Sequence, residues 1–169
     1  MSVTDRAAVV AALEANLRHI ERLVGHVDPT TAATRPTPEE WSALEIVEHL
    51  VVVERAVHKS VTGAVGVPAS DRRTRDKDPI IAGLATLPDR IPAPDIVHPT
   101  GRFASLAEAV RIFRERRTTT LDLARSLDVP WDAHHAPHPI IGMIDVGQWF
   151  LLAATHGERH ALQIERQAR

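Results

Sequence analysis

Val10, Leu13, Leu17, Ile20, Leu23, Val24 and Val27 recur at steps of three and four, the spacing that gathers apolar side chains on one face of an α-helix. They predict a first helix over 4–27, ended by Asp28-Pro29. A second, over 42–65, starts at the capping box Ser42-Ala43-Leu44-Glu45, with Trp41 and Ile46 placed as a hydrophobic staple across it. Its apolar stripe is Ile46, Leu50, Val53, Val57 and Val61. Ser105-Leu106-Ala107-Glu108 opens a third over 105–128, with Leu106, Val110, Phe113, Leu121, Ala124 and Leu127 on one side. Asp145-Val146-Gly147-Gln148 caps a fourth over 145–167. Its inward stripe holds Trp149, Ala153, His156, Gly157, His160 and Ile164, with Gln163 at the edge.

No segment alternates convincingly with period two, so the expected fold is all-α, a four-helix bundle. The length of 169 residues suits one domain over 1–169. No internal repeat is visible. The proline-rich connection 66–104 is long for a structureless loop in a compact domain. Such a connection permits a crossover, leaving helices two and three parallel, and a helical turn is expected within 79–87.

Composition narrows the chemistry. The chain has no cysteine and no tyrosine, which removes disulfides, thiolate ligands, a thiol nucleophile and a phenolic acid or base. Any metal must be held by histidine, carboxylate or water. A net charge of −2 gives no general attraction to nucleic acid, and Arg72-Arg73-Thr74-Arg75, set among aspartates, reads as a solvated loop. The N-terminal residues carry no apolar signal core, and the longest apolar run, 149–154, is far too short to span a bilayer. A cytoplasmic protein with no membrane partner is expected. No nucleophile elbow, phosphate-cradling loop or dinucleotide fingerprint appears.

His156 and His160 lie four residues apart on the inward face of the fourth helix, so their side chains leave the same side just over one turn apart. Two neutral imidazoles so placed can share a divalent ion. Ala153, Gly157 and Ala161 beside them leave room for a cavity or for close approach of a neighbouring helix. His49, next to Leu50, flanks the core stripe of helix two and is the candidate third ligand. Three protein nitrogens with an open fourth position is the arrangement of catalytic zinc sites; nickel, iron or manganese also accept imidazole. The loop Asp132-Ala133-His134-His135-Ala136-Pro137-His138 is a rival ligand cluster, but its prolines forbid a regular helix. His134 and His138 are therefore candidates for the pocket mouth. Gln163, three residues past His160, is a candidate to orient that ring. Trp149 and Trp131 could line a pocket. Glu158, about 200° around the helix from His156, is expected to be a solvated charge and not a base.

The segment Trp41-Ser42-Ala43-Leu44-Glu45-Ile46-Val47-Glu48-His49-Leu50, preceded by Arg35-Pro36, and the segment Thr155-His156-Gly157-Glu158-Arg159-His160-Ala161-Leu162-Gln163-Ile164 together resemble the DinB-like or YfiT-like metal-binding four-helix proteins. The approach Pro137-His138-Pro139-Ile140-Ile141-Gly142 resembles the family's as well. The resemblance implies an up-down-down-up bundle and a metal triad at His49, His156 and His160. It also implies a divalent metal cofactor, zinc or nickel ahead of iron or manganese, and frequent homodimers. For some members it implies transfer to a low-molecular-weight thiol. The function expected on this basis is a metal-dependent enzyme that activates such a thiol, or water as a hydrolase does, toward a small-molecule substrate. A non-catalytic metal- or ligand-binding bundle, serving sensing or stability, is the alternative.

Overall fold

The computed structural model describes residues 5–87 and 93–168. Its main helices are α1 (Arg6–Val24), α2 (Ala43–Val65), α4 (Leu106–Ser126) and α5 (Val146–Gln167), with a one-turn helix α3 (Asp78–Ala82) in the connection between α2 and α4. The fold is all-α, as the periodicity predicts. The caps fall where the sequence signals them. Ser42 and Glu45 close a reciprocal capping box on α2, as Asp145 and Gln148 do on α5. At α4 only half of the box forms, because Glu108 accepts from the amide of Ala104 while Ser105 accepts from that of Glu108. The first helix is shorter than 4–27. Asp5 caps it, the expected start at Thr4 lies outside the described residues, and the helix ends at Val24 with Gly25 as its C-cap.

One expectation fails. His135–His138 (β1) and Gly142–Asp145 (β2) form a two-stranded antiparallel hairpin just before α5. Two short strands containing Pro137 and Gly142 carry too few positions for period two to show, and pairing with each other decides their conformation. Gly142 turns back at φ 79°, a left-handed backbone that favours glycine.

Two apolar clusters give the helix directions. Val9 and Leu13 of α1, Val57 and Val61 of α2, Leu121 and Ala124 of α4, and residues 149–154 of α5 share one end. Ile20 and Leu23, Ile46 and Leu50, Val110 and Phe113, and Ala161 and Ile164 share the other. Helices α2 and α4 therefore run parallel to each other, and antiparallel to α1 and α5. The long connection makes this up-down-down-up order possible.

Between the clusters lies a buried polar layer. Arg117 of α4, fully buried, pairs with Glu54 of α2 at 2.7 Å and donates to Leu13 O, to Asn16 Oδ1 of α1 and to Ala153 O of α5, each at 3.1 Å. Thr120 donates to the other Glu54 oxygen at 2.6 Å. Every donor of that guanidinium edge finds an acceptor, which makes the buried pair tolerable. Next to this layer α1 and α5 come so close that a Cβ on Gly157 would sit 2.2 Å from Asn16 Oδ1. Of the two roles open to the small residues around His156, Gly157 serves close approach.

The connection is docked at two points. Glu48 of α2, buried, accepts from the amides of Thr100, Gly101 and Arg102 at 2.6, 3.1 and 3.1 Å. Arg75 pairs with buried Asp145 at 2.7 Å, and Thr74 donates to the same carboxylate at 3.1 Å. The basic stretch is therefore solvated only in part, since its last residues clamp the start of α5. No described helix is long and apolar enough to cross a membrane.

Candidate metal centre

His49 from α2 meets His156 and His160 from α5 between the two helices. One ligand nitrogen from each lies within 4.8 Å of the others. The Nε2 of His156 is 3.4 Å from that of His49 and 3.2 Å from that of His160. Tetrahedral ligands at about 2.0 to 2.1 Å from one ion stand about 3.3 Å apart, so the spacing fits a shared cation.

Hydrogen bonds on the far sides of the rings fix which nitrogens face inward. The Nδ1–H of His49 donates to Val97 O at 2.7 Å, and that of His160 donates to Gln163 Oε1 at 2.6 Å. Each ring therefore turns a bare Nε2 lone pair toward the same point. His156 Nε2 lies within 3.4 Å of both, so a proton on it or a cation at that point would meet the two lone pairs, and carbonyl acceptors behind metal-bound imidazoles strengthen such sites. His156 Nδ1 is buried without a partner. The donor set fits a divalent ion held through the Nε2 atoms of His49, His156 and His160.

The anchors of these rings come from ordinary chain features. Val97 ends a 3-10 turn, Asp95–Val97, and Glu48 holds the next few residues by their amides, so the connection that carries Val97 is tied to the helix that carries His49. Trp41, just before the α2 cap, lays its ring 4.9 Å from His49 and 6.3 Å from His160, nearly parallel to the latter. Gln167 Nε2 donates to Trp41 O at 2.9 Å, fastening the end of α5 to the same residue.

Burial pushes all three imidazoles below the usual histidine range. For His49, burial outweighs the opposing bond to Val97. For His156, burial acts first and the neighbouring His160 and His49 add to it. His160 is pushed down to about 3, by burial and then by His49. All three are neutral near pH 7, the form that binds a metal.

The triad stands on the wall of a cavity of about 1110 Å³, large enough for a small-molecule substrate. Trp149, His138 and Gln163 line it. His134 does not. It is buried, with Nδ1 3.2 Å from Ala64 O. His135 instead meets Ser70 Oγ at 3.1 Å. The rival cluster never converges: neighbours His134 and His135 of the extended chain point to opposite faces, and His138 lies about 13 Å further along it. Trp131 is core, its ring 4.9 Å from that of Phe150. Glu158 is not a free surface charge. It bonds His19 Nδ1 at 2.9 Å and Asn16 Nδ2 at 3.2 Å, because α1 covers the side of α5 that the pattern assigned to solvent.

Sequence reasoning missed three contributors: Trp41 as a wall of the site, Glu48 as the anchor of the connection, and the layer around Arg117. Only Trp41 carried a signal, through its place at the head of α2 beside the histidine-bearing turn.

A model of the DinB superfamily covers residues 12–164. No curated protein and no solved structure matches the chain.

Proposed function

The chain belongs to the DinB superfamily, and on that premise we propose that it is a metal-dependent enzyme acting on a small molecule, with a low-molecular-weight thiol as the favoured cosubstrate. The observation that carries the reading is the convergence of three Nε2 atoms on the wall of the large cavity, each from a ring held neutral by burial. A divalent ion bound there would lower the pKa of a thiol or water beside it, supplying a nucleophile near neutral pH.

The chain's own residues supply the rest. Val97 O and Gln163 keep the protons of His49 and His160 on Nδ1, so neither ring can turn its lone pair away. Trp41 packs against the His49 and His160 rings and forms part of the cavity wall beside them. The cavity side stays open to a reactant. The preference for a thiol over water rests on the family resemblance.

The test is turnover. The purified protein, supplied with zinc or nickel, is screened with low-molecular-weight thiols against activated electrophiles. Thiol-dependent turnover that disappears in His156→Ala, with the helical circular dichroism unchanged, is the expected result. A protein that binds the ion and turns over neither thiol nor water chemistry belongs to the non-catalytic alternative. Turnover that survives the substitution contradicts the proposal.

A further inference from the structure

His138 sits at the end of β1 with its ring 5.2 Å from that of Trp149. Trp149 precedes His156 by seven residues, two turns along the same face of α5. His138 therefore overlooks the same cavity as the triad, beside a residue that lies about 10 Å along α5 from His156. Charge on it would bear on His156.

Its chemistry is fixed by the hairpin turn. The amides of Ile140 and Ile141 both donate to His138 Nδ1, each at 3.2 Å. With two N–H groups pointed at it, Nδ1 must be the bare nitrogen, so the ring proton resides on Nε2. Among the described residues that Nε2–H has no partner. Burial also pushes the ring down to about 4, so it stays uncharged near neutrality. The turn thus presents a neutral, donor-only group to the cavity.

The cavity wall carries charged side chains, Arg35, Glu39, Glu40, Arg159 and Arg166, beside a large aliphatic share. Val53, Val57, Ile80, Ile141 and Leu152 line the cavity together with Trp149. Among the described residues, three of the four exposed large apolar side chains, Ile80, Ile96 and Ile140, border the same space from three separate segments. A charged ligand group placed directly against His138 would lose its hydration and meet there a donor that carries no charge, which is costly. A neutral oxygen acceptor on an apolar body meets neither penalty.

We propose that His138 is a specificity-determining residue: its Nε2–H receives a carbonyl-type oxygen on an elongated, mainly aliphatic substrate whose reacting end lies at the histidine triad. This deepens the proposed function and names the substrate class of the same cavity. The remaining part of the site, the triad, is not needed for the carbonyl contact itself.

Two substitutions separate the two nitrogens of the ring. His138→Asn keeps an oxygen near the Nδ1 position for the turn amides and removes the distant donor. His138→Gln keeps a distant N–H and gives up the turn acceptor. The probe is 2-octanone, with 2-methyl-1-octene as the shape-matched ligand that lacks the oxygen, both followed by ligand-observed NMR. We expect 2-octanone to bind His138→Asn about fivefold more weakly than the parent protein, and His138→Gln within about twofold of it. The alkene should bind all three alike.

Equal binding of the ketone to His138→Asn overturns the proposal. So does an equal loss in both variants, which would mark a hairpin effect, or failure of the parent protein to bind the ketone. Should the variants not fold, nitrogen-15 NMR of histidine in the parent protein decides, since a His138 protonated at Nδ1 would also overturn it. Neither probe carries a metal-binding group, so the ratios are read in the protein as purified and again after chelation. The same ratios are expected in both, and a chain that takes up no metal would then count against the triad reading alone.

Discussion

At the scale of single residues, the site depends on which atoms are left without alternatives. His49 and His160 commit their Nδ1 protons to Val97 O and Gln163 Oε1, which leaves their Nε2 atoms able to serve as metal ligands. Gly157, between the two histidines of α5, has a different task. An added Cβ would meet Asn16 Oδ1 at 2.2 Å and Cγ at 2.9 Å. Asn16 cannot simply swing away, because it accepts from Arg117 and donates to Glu158. Gly157→Ala is therefore expected to destabilise the protein by about 1 to 3 kcal/mol, as overpacked cores are. Urea unfolding measures it, and an unchanged midpoint would show that α1 and α5 are not packed this tightly. The histidine spacing was legible in the sequence at this scale. The partner of Gly157 was not, since no periodicity tells which residue of a distant helix fills a gap.

At the scale of elements, the four main helices were legible because each has a long apolar stripe and a capping signal, and Ser42 with Glu45 and Asp145 with Gln148 cap as read. The hairpin and the layer around Arg117 were not. An arginine among Glu115, Arg116 and Thr118 in sequence looks solvent-facing, and only the meeting of four helices buries it. That layer sits one to two turns from His49 on α2 and beside His156 on α5, so it holds the helices that bear the triad in register. Removing one partner of a buried pair leaves the other charge unpaired, at a cost of about 3 to 5 kcal/mol. Arg117→Met and Glu54→Leu are each expected to fall in that range by chemical denaturation. The double variant, which leaves no buried charge at this pair, should recover much of the loss. Additive losses in the double variant would mean that the two side chains do not interact.

At the scale of the whole molecule, burying three neutral imidazoles ties folding to pH. Their folded values lie below the ordinary 6.5, that of His160 at about 3, so the unfolded chain takes up protons first as the solution is acidified. Their contribution is present above pH 6.5 and is lost as pH falls toward about 3. The chelated protein should lose stability across that window more steeply than His160→Gln does, read as urea midpoints against pH. Parallel curves would contradict the assignment. The same depression removes the proton as a competitor for the ion. Three ordinary imidazoles would lose about four orders of magnitude in metal affinity between pH 7 and pH 5, and this site is expected to lose far less. The central claim is that His49, His156 and His160 form one metal site, and calorimetric titration of the chelated protein with zinc tests it most directly. The predicted result is one zinc per chain, abolished by His49→Ala, His156→Ala or His160→Ala in chains that keep their helical content. A protein that takes up no zinc, or keeps its one equivalent when His156 is replaced, would contradict it.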